Sequence, residues 1–160
     1  MRQRRKKKTE VRVQLFINSF RCHPDEVTRI LGLTPTKTWV KGDPYLKTGG
    51  PVHRGDGWSL SSGLPPATAP EEQVESLTKL IRPHTEKFKR LPRGSVVDLS
   101  CAIYAYDDSQ RVFFFPVEAV KTLAAIGSYI SIAYYDFTNL PPEEKPRRKS
   151  RRKKRRRRSG

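Results

Sequence analysis

The sequence has few of the residues that build metal, redox and membrane sites. It contains two cysteines, three histidines and one methionine in 160 residues. Cys22 and Cys101 lie far apart, and neither Cys-x-x-Cys nor His-x-x-x-His spacing is present, which argues against a zinc site. No apolar run approaches the roughly 18 residues of a membrane-spanning helix. We therefore expect plain thiols, no metal, no cofactor and no membrane span.

Motifs for catalysis and secretion are also missing. There is no Gly-rich phosphate loop before a helix and no Gly-x-Ser-x-Gly elbow. Cys101 lies in the middle of a predicted strand, so we expect its thiol to be buried and unreactive. Residues 11–20 are interrupted by polar side chains, which is unlike the apolar part of a secretory signal. The sequence predicts a non-catalytic, cytoplasmic protein.

Acidic residues are scarce, and their distribution is informative. The chain has 33 Lys and Arg against 16 Asp and Glu, for a net charge of +17. Residues 1–8 carry a charge of +6 and residues 141–160 a charge of +10, whereas residues 9–140 carry only +1. Runs of like charge repel themselves and bury nothing. We predict a disordered arm over 1–9, one folded domain over 10–140 and a disordered tail over 141–160.

The two basic termini predict attachment to a polyanion. Binding of Lys and Arg to phosphates releases counterions, and these contacts carry no information about the bases. We expect attachment to nucleic acid, DNA or RNA, without regard to sequence, and a nucleoid-associated location is compatible with it. The alternative is that the termini only keep the protein soluble. The predicted contacts are Arg2, Arg4, Arg5, Lys6, Lys7, Lys8, Lys145, Arg147, Arg148, Lys149, Arg151, Arg152, Lys153, Lys154, Arg155, Arg156, Arg157 and Arg158.

Hydrophobic periodicity predicts the elements of the central domain. Pro83 is expected to kink or split the second helix. The mixture of helices and strands favours an α+β domain with an antiparallel or mixed sheet and two to three helices on one face. We expect the ferredoxin-like split β-α-β arrangement. The predicted strands are 10–17, 37–41, 57–62, 96–106 and 128–137, with a further extended stretch at 112–115 after a turn at 107–109, and the predicted helices are 24–31, 71–91 and 117–126.

Several short stretches resemble one bacterial family, domain of unknown function 4279 (DUF4279). They are Leu-Thr-Pro-Thr at 33–36, Thr-Trp-Val-Lys-Gly-Asp at 38–43, Gly-Trp-Ser-Leu-Ser at 57–61 and Leu-Ser-Cys-Ala-Ile-Tyr at 99–104. The final helix and strand are similar as well, so that the resemblance covers about residues 10–137. It implies a fold and a bacterial context but no reaction. The loop at 45–57 and the basic termini depart from the family, so the termini could carry a function of their own.

Trp39 and Trp58 are the candidate groove or interface residues of the domain. Each stands beside a Gly-containing turn, with Lys41 and Asp43 nearby, and tryptophan is enriched in ligand grooves and interfaces. The alternative is that the two indoles cover the edge of the sheet. A pocket of Trp39, Asp43, His53 and Trp58 would also suit an enzyme that no motif reveals.

Other aromatic residues lie on predicted strands and have two interpretations. They are Tyr104, Tyr106, Tyr134, Tyr135 and residues 113–115. An RNA-recognition sheet also places aromatics on strands, but it surrounds them with basic residues and glycine. Because the neighbours here are aspartates, we favour packing in the core. The domain is therefore expected to be a small binding or accessory module with a protein partner, and a toxin-immunity role fits the same fold by analogy.

Overall fold

A computed structural model describes residues 8–107 and 112–138. Nearly all of the predicted arm and the whole predicted tail lie outside these ranges. Within them the boundaries of most elements differ from the predicted ones by a few residues, but residues 112–115 form no strand, contrary to prediction. The elements are β1 (Glu10–Asn18), α1 (Pro24–Leu31), β2 (Lys37–Trp39), β3 (Gly57–Ser61), α2 (Pro70–Ile81), α3 (Thr85–Phe88), β4 (Val96–Ala105), α4 (Val117–Ala125) and β5 (Tyr129–Asp136).

The five strands form one mixed sheet in the order β2-β3-β1-β4-β5. Neighbouring strands are antiparallel except β4 and β5, which are parallel. The first four strands, with a helix after β1 and a helical segment after β3, make the split β-α-β arrangement. β5 joins the edge through α4, because parallel neighbours need a crossover connection. The predicted α+β fold is confirmed.

Alternation along the strands decides which face of the sheet is buried. Val11, Val13, Leu15 and Ile17 of β1 are at most 1% exposed, and they form one cluster with residues of β3, β4 and the helices. Successive side chains of a strand point to opposite faces, so the remaining residues of β1 lie on the other side. We call the helix side the core face and the other side the open face.

The second helix divides where proline was expected to interrupt it. α2 ends at Ile81, a 3-10 turn covers Arg82–His84, and α3 follows directly. Proline lacks the N–H that would continue the hydrogen-bond ladder, so the split at Pro83 has a local cause. Among the described residues, every helix is too short or too polar to cross a lipid bilayer.

Gln73 of α2 replaces a missing strand beside β1. β1 extends past the end of β3, which leaves backbone groups of Val11 and Val13 to be satisfied in another way. The buried Gln73 amide donates from Nε2 to the Val11 carbonyl at 2.9 Å and accepts from the Val13 N–H at 3.2 Å. Because unpaired buried backbone groups are costly, this side chain joins α2 to the sheet in one register.

Candidate functional site

Trp39 and Trp58 lie on opposite faces of the sheet. In the β2–β3 pair, Trp39 is opposite Gly57, and Trp58 is opposite Thr38. Trp58 is fully buried on the core face, where its Nε1 donates to the Thr28 Oγ1 of α1 at 3.0 Å. Since residues of opposite parity cannot share a face, the two indoles do not line one groove, contrary to expectation. Trp58 is a core residue, and Trp39 alone faces the open side.

Gly57 allows the Trp39 indole to lie on the open face. A Cβ built on Gly57 would overlap the indole atoms Cζ2 and Cε2. Phe16 of β1 meets the same indole edge to face, with ring centroids 6.2 Å apart. The Trp39 indole therefore contacts residues of both β3 and β1. We call this indole the aromatic floor on this side of the sheet.

The β2–β3 loop folds back over that floor. The Asp43 carboxylate accepts from the Val40 N–H at 2.9 Å, and the Asp56 carboxylate accepts from the Lys41 N–H at 2.7 Å. The backbone N–H of His53 donates to the backbone carbonyl of Asp43 at 2.8 Å, and this hydrogen bond joins the two sides of the loop. Asp43 therefore shapes the loop and does not line the groove. Lys41 is exposed and enters this network through its backbone.

The folded loop places two aromatic rings above Trp39. The His53 imidazole stacks on the indole with centroids 4.8 Å apart, and the Tyr45 ring covers the imidazole at 3.9 Å. His53 is 8% exposed, and its Nε2 is buried without a hydrogen-bond partner among the described residues. An unsatisfied buried ring nitrogen costs about 1–3 kcal/mol, so a polar ligand that reached it would gain that amount.

These residues border a groove of about 910 Å³ on the open face. Lys37 and Arg54 bring positive charge to it, and the Lys37 Nζ lies 5.9 Å from the centre of the Trp39 ring. Amide and hydroxyl side chains complete the wall, from Gln14, Asn18, Thr36 and Ser59. Aromatic surface with a few convergent polar groups is the usual composition of a small-molecule site.

A row of parallel rings occupies the other side of the open face. The rings of Tyr104 and Tyr135 stack at 5.1 Å, and those of Tyr106 and Phe137 stack at 5.2 Å. The Arg12 guanidinium lies 5.4 Å from the centre of the Tyr104 ring. Tyr104, Tyr106 and Tyr135 were expected to pack in the core, but neighbouring strands place them on the face that the described helices leave uncovered.

The remaining aromatics of this region divide between the two environments. Phe113 and Phe115 are partly buried and pack against the core, as expected. Tyr134 and Phe114 are each 63% exposed, so core packing was the wrong interpretation for them. Tyr134 does lie on the core face, opposite Ile103, but it belongs to the edge strand β5.

The thiols are poorly placed for nucleophilic chemistry. Burial, together with the nearby Asp98 carboxylate, raises the pKa of the Cys101 thiol to about 11. Burial also raises the pKa of Cys22, with smaller contributions from Glu26 and Asp56. Both thiols are therefore protonated at neutral pH, and the thiolate is the reactive form. In the described ranges no three His, Cys, Asp or Glu side chains come together in a way that could hold a metal ion.

The predicted polyanion contacts fall almost entirely outside the described residues. Lys8 is described and exposed, whereas the contacts over residues 2–7 and 145–158 are not described. The groove contains residues that sequence reasoning did not single out, above all Phe16 and Tyr45. Phe16 did carry a signal, because it is a large apolar residue on the polar side of the alternation in β1.

Comparison with known proteins supplies a family and no described activity. No curated protein and no solved structure matches the chain. A family model described as domain of unknown function (DUF4279) matches residues 9–137, and the chain therefore belongs to this family, as the short motifs predicted.

Proposed function

We propose that this protein is a non-catalytic binding module that attaches to nucleic acid through its basic termini, without regard to sequence. One observation carries the proposal, namely the segregation of charge. Twelve Lys and Arg lie within residues 141–160, whereas residues 9–140 have a net charge of +1. A polyanion therefore meets its strongest attraction at the termini and little net attraction on the domain.

The chemistry of the described residues supports a binding role over catalysis. Both thiols have raised pKa values, and the groove is lined by aromatic, amide and hydroxyl side chains. Asp56, a carboxylate on the groove, accepts the Lys41 backbone N–H. A groove of this kind offers recognition by stacking and hydrogen bonding. In the proposed division of labour, the termini hold the protein on nucleic acid and the domain presents its groove to a further ligand.

The proposal predicts a steep dependence on salt. If about six tail residues meet phosphates of duplex DNA, the log–log salt slope is about −5. The affinity then falls about a thousandfold between roughly 50 and 200 mM salt. Duplexes of scrambled sequence should bind equally well, because phosphate contacts do not read the bases.

Fluorescence anisotropy with a labelled duplex across a salt series tests this. The comparison includes the full chain, a chain that ends at residue 140, and a full-length variant with glutamine at the twelve basic tail positions. The last variant keeps the tail's length and removes its charge. We expect both altered chains to lose most of the affinity and most of the slope, with a weak remainder from residues 2–8. Tight binding by either chain, or preference for one duplex sequence, would contradict the proposal.

A second candidate function is the turnover or sensing of a small molecule at the groove, and the buried, unpartnered His53 Nε2 favours it. A thermal-shift screen of planar, anionic and sugar-like compounds distinguishes the two. A compound that binds only the folded state raises the melting temperature by mass action. The rise should disappear in His53→Phe, which preserves stacking on Trp39 but has no ring nitrogen.

A further inference from the structure

The exposed apolar side chains are concentrated at the β5 edge of the sheet. On the core face of β5, Ile130, Ile132 and Tyr134 are 44%, 56% and 63% exposed. On the neighbouring helix α4, Val117 and Val120 are 68% and 44% exposed. A concentration of exposed apolar side chains of this kind is typical of an interaction site.

The edge also lacks the usual protection against strand pairing. Residues 129–136 contain no proline, lysine or arginine, and their only charge is Asp136 at the end of the strand. Natural edge strands are normally interrupted or charged, because their unpaired N–H and C=O groups accept another strand. Among the described residues no strand pairs with the outer side of β5, so the outward N–H and C=O groups of this eight-residue strand are open to another strand, with apolar side chains beside them.

The rest of this chain has little with which to cover the edge. Residues 1–7, 108–111 and 139–160 contain only two large apolar residues, Met1 and Leu140. Those segments are otherwise charged, polar, proline or glycine, so none of them supplies an apolar strand. A strand of another polypeptide can supply one.

We propose that a second copy of this chain covers the edge, by antiparallel pairing of β5 with the β5 of its partner around a two-fold axis. The strand is self-complementary when the axis passes at Ile132. Ile132 then lies opposite the partner's Ile132, and Ile130 lies opposite the partner's Tyr134. Each exposed core-face residue meets an apolar residue, and the pairing brings no like charges together. In a two-fold interface both copies contribute the same surface, so one uncharged edge meets another uncharged edge. A charged strand of a foreign protein would find no opposite charge on β5.

The aromatic row on the open face supports the same register. It runs outward across the strands from Arg12 to Tyr104 and then to Tyr135, with Tyr104 and Tyr135 stacked at 5.1 Å. The outer side of Tyr135 lies at the edge of the sheet, and this residue is 46% exposed. Pairing about Ile132 places the partner's Tyr129 opposite Tyr135, about 4.8 Å further along, which is the spacing of the next strand. The second copy thus extends the stack by one ring.

Antiparallel pairing also separates the two Asp136 residues. β5 ends at Asp136, so the two copies of this residue lie at opposite ends of the paired strands. An eight-residue strand is about 27 Å long, which is several times the Debye length of about 8 Å at physiological salt. A dimer also offers nucleic acid two segments of +10 in place of one.

Light scattering coupled to size exclusion tests the dimer with the full chain, at about 0.5 M salt to screen the tails. We expect twice the chain mass of 18.4 kDa for the natural protein. Ile132→Lys should halve the measured mass, because it places two lysines opposite each other at the axis. The matched control is Leu46→Lys, which adds the same charge at a 60% exposed apolar residue of the β2–β3 loop and should leave the dimer intact.

Disulfide formation tests the register independently. Residues directly opposite in an antiparallel pair have Cα atoms about 4.5–5.5 Å apart, within the range that a disulfide spans. Ile132→Cys should give a covalent dimer on mild oxidation, whereas Leu46→Cys and the natural chain, which keep Cys22 and Cys101, should not.

Two outcomes would overturn the proposal. The first is a natural chain that stays monomeric up to a concentration of about 0.1 mM, and the edge would then be a site for a foreign strand. A dimer that survives Ile132→Lys, and that forms no intermolecular disulfide in the Ile132→Cys variant, would also do so, because another surface would then make the contact.

Discussion

The Trp39 indole lies against the backbone of Gly57, in the space that any Cβ at that position would occupy. Gly57 has no positive φ, so the requirement for glycine there comes from this contact and not from the backbone conformation. The groove therefore depends on a residue that is absent from its lining. One atom added beneath the indole should move the aromatic floor and the His53 ring stacked on it.

Gly57→Ala should displace Trp39 and destabilise the domain by about 1–3 kcal/mol, the usual cost of overpacking. The measurement is the ¹H–¹⁵N spectrum of the two indole N–H groups, with the Trp39 signal assigned through Trp39→Phe. We expect the Trp39 signal to shift strongly and the Trp58 signal to stay in place. Gly55→Ala is the matched control, because a Cβ there meets nothing within 4 Å. Equal spectra for the two alanine variants would contradict the contact.

Trp58→Ala should lower the free energy of unfolding by about 3–5 kcal/mol, because it empties a fully buried site. Trp39→Ala should cost clearly less, since Trp39 is only partly buried. Thr28→Val tests the hydrogen bond alone, and removal of the acceptor of the Trp58 N–H should cost about 1–3 kcal/mol. Urea unfolding of the three variants gives these values. Similar losses for the two tryptophans would argue against their separation between the two faces.

Gln73→Glu should destabilise the domain by about 1–3 kcal/mol at neutral pH, because a carboxylate cannot donate to the Val11 carbonyl. The loss should shrink as the pH falls, since a protonated carboxyl group regains one donor. Denaturant midpoints at several pH values check this. Glu72→Gln, an exposed change on the same helix turn, serves as the control and should leave the unfolding free energy nearly unchanged. A loss for Gln73→Glu that did not vary with pH would speak against the hydrogen-bonded role.

The raised pKa of Cys101 predicts a loss of stability at alkaline pH. Its folded pKa of about 11 lies above the ordinary value of 9.0, so the unfolded state releases the proton first as the pH rises. The contribution of Cys101 is therefore complete below about pH 9 and is lost as the pH approaches 11. Cys101→Ala should flatten this part of the stability profile relative to the natural protein, while Cys22→Ala changes it less. Parallel profiles for the natural protein and Cys101→Ala would contradict the shift.

Local sequence determined most of the elements and, in β1 and β4, the face that the strand buries. Alternation in β1 and β4, the helix stripes, Gly32 at the end of α1 and the break at Pro83 are short-range signals, and the structure follows them. The charge segregation is likewise a property of composition. These features could be predicted because hydrophobic periodicity and backbone preference act within a few residues.

The tertiary structure alone decided what each face meets. Alternation shows which residues of one strand share a side, but Trp39 and Trp58 lie on different strands. Only the register between β2 and β3 shows that the two indoles lie on opposite faces of the sheet. Stacking of His53 on Trp39 needs the long β2–β3 loop to fold back, which no local pattern encodes. Ile130 and Ile132 share the core face with Leu99 and Cys101, yet they are exposed. The reason is their place at the edge of the sheet, because burial depends on what packs above a strand, whereas alternation specifies only the side on which a residue lies.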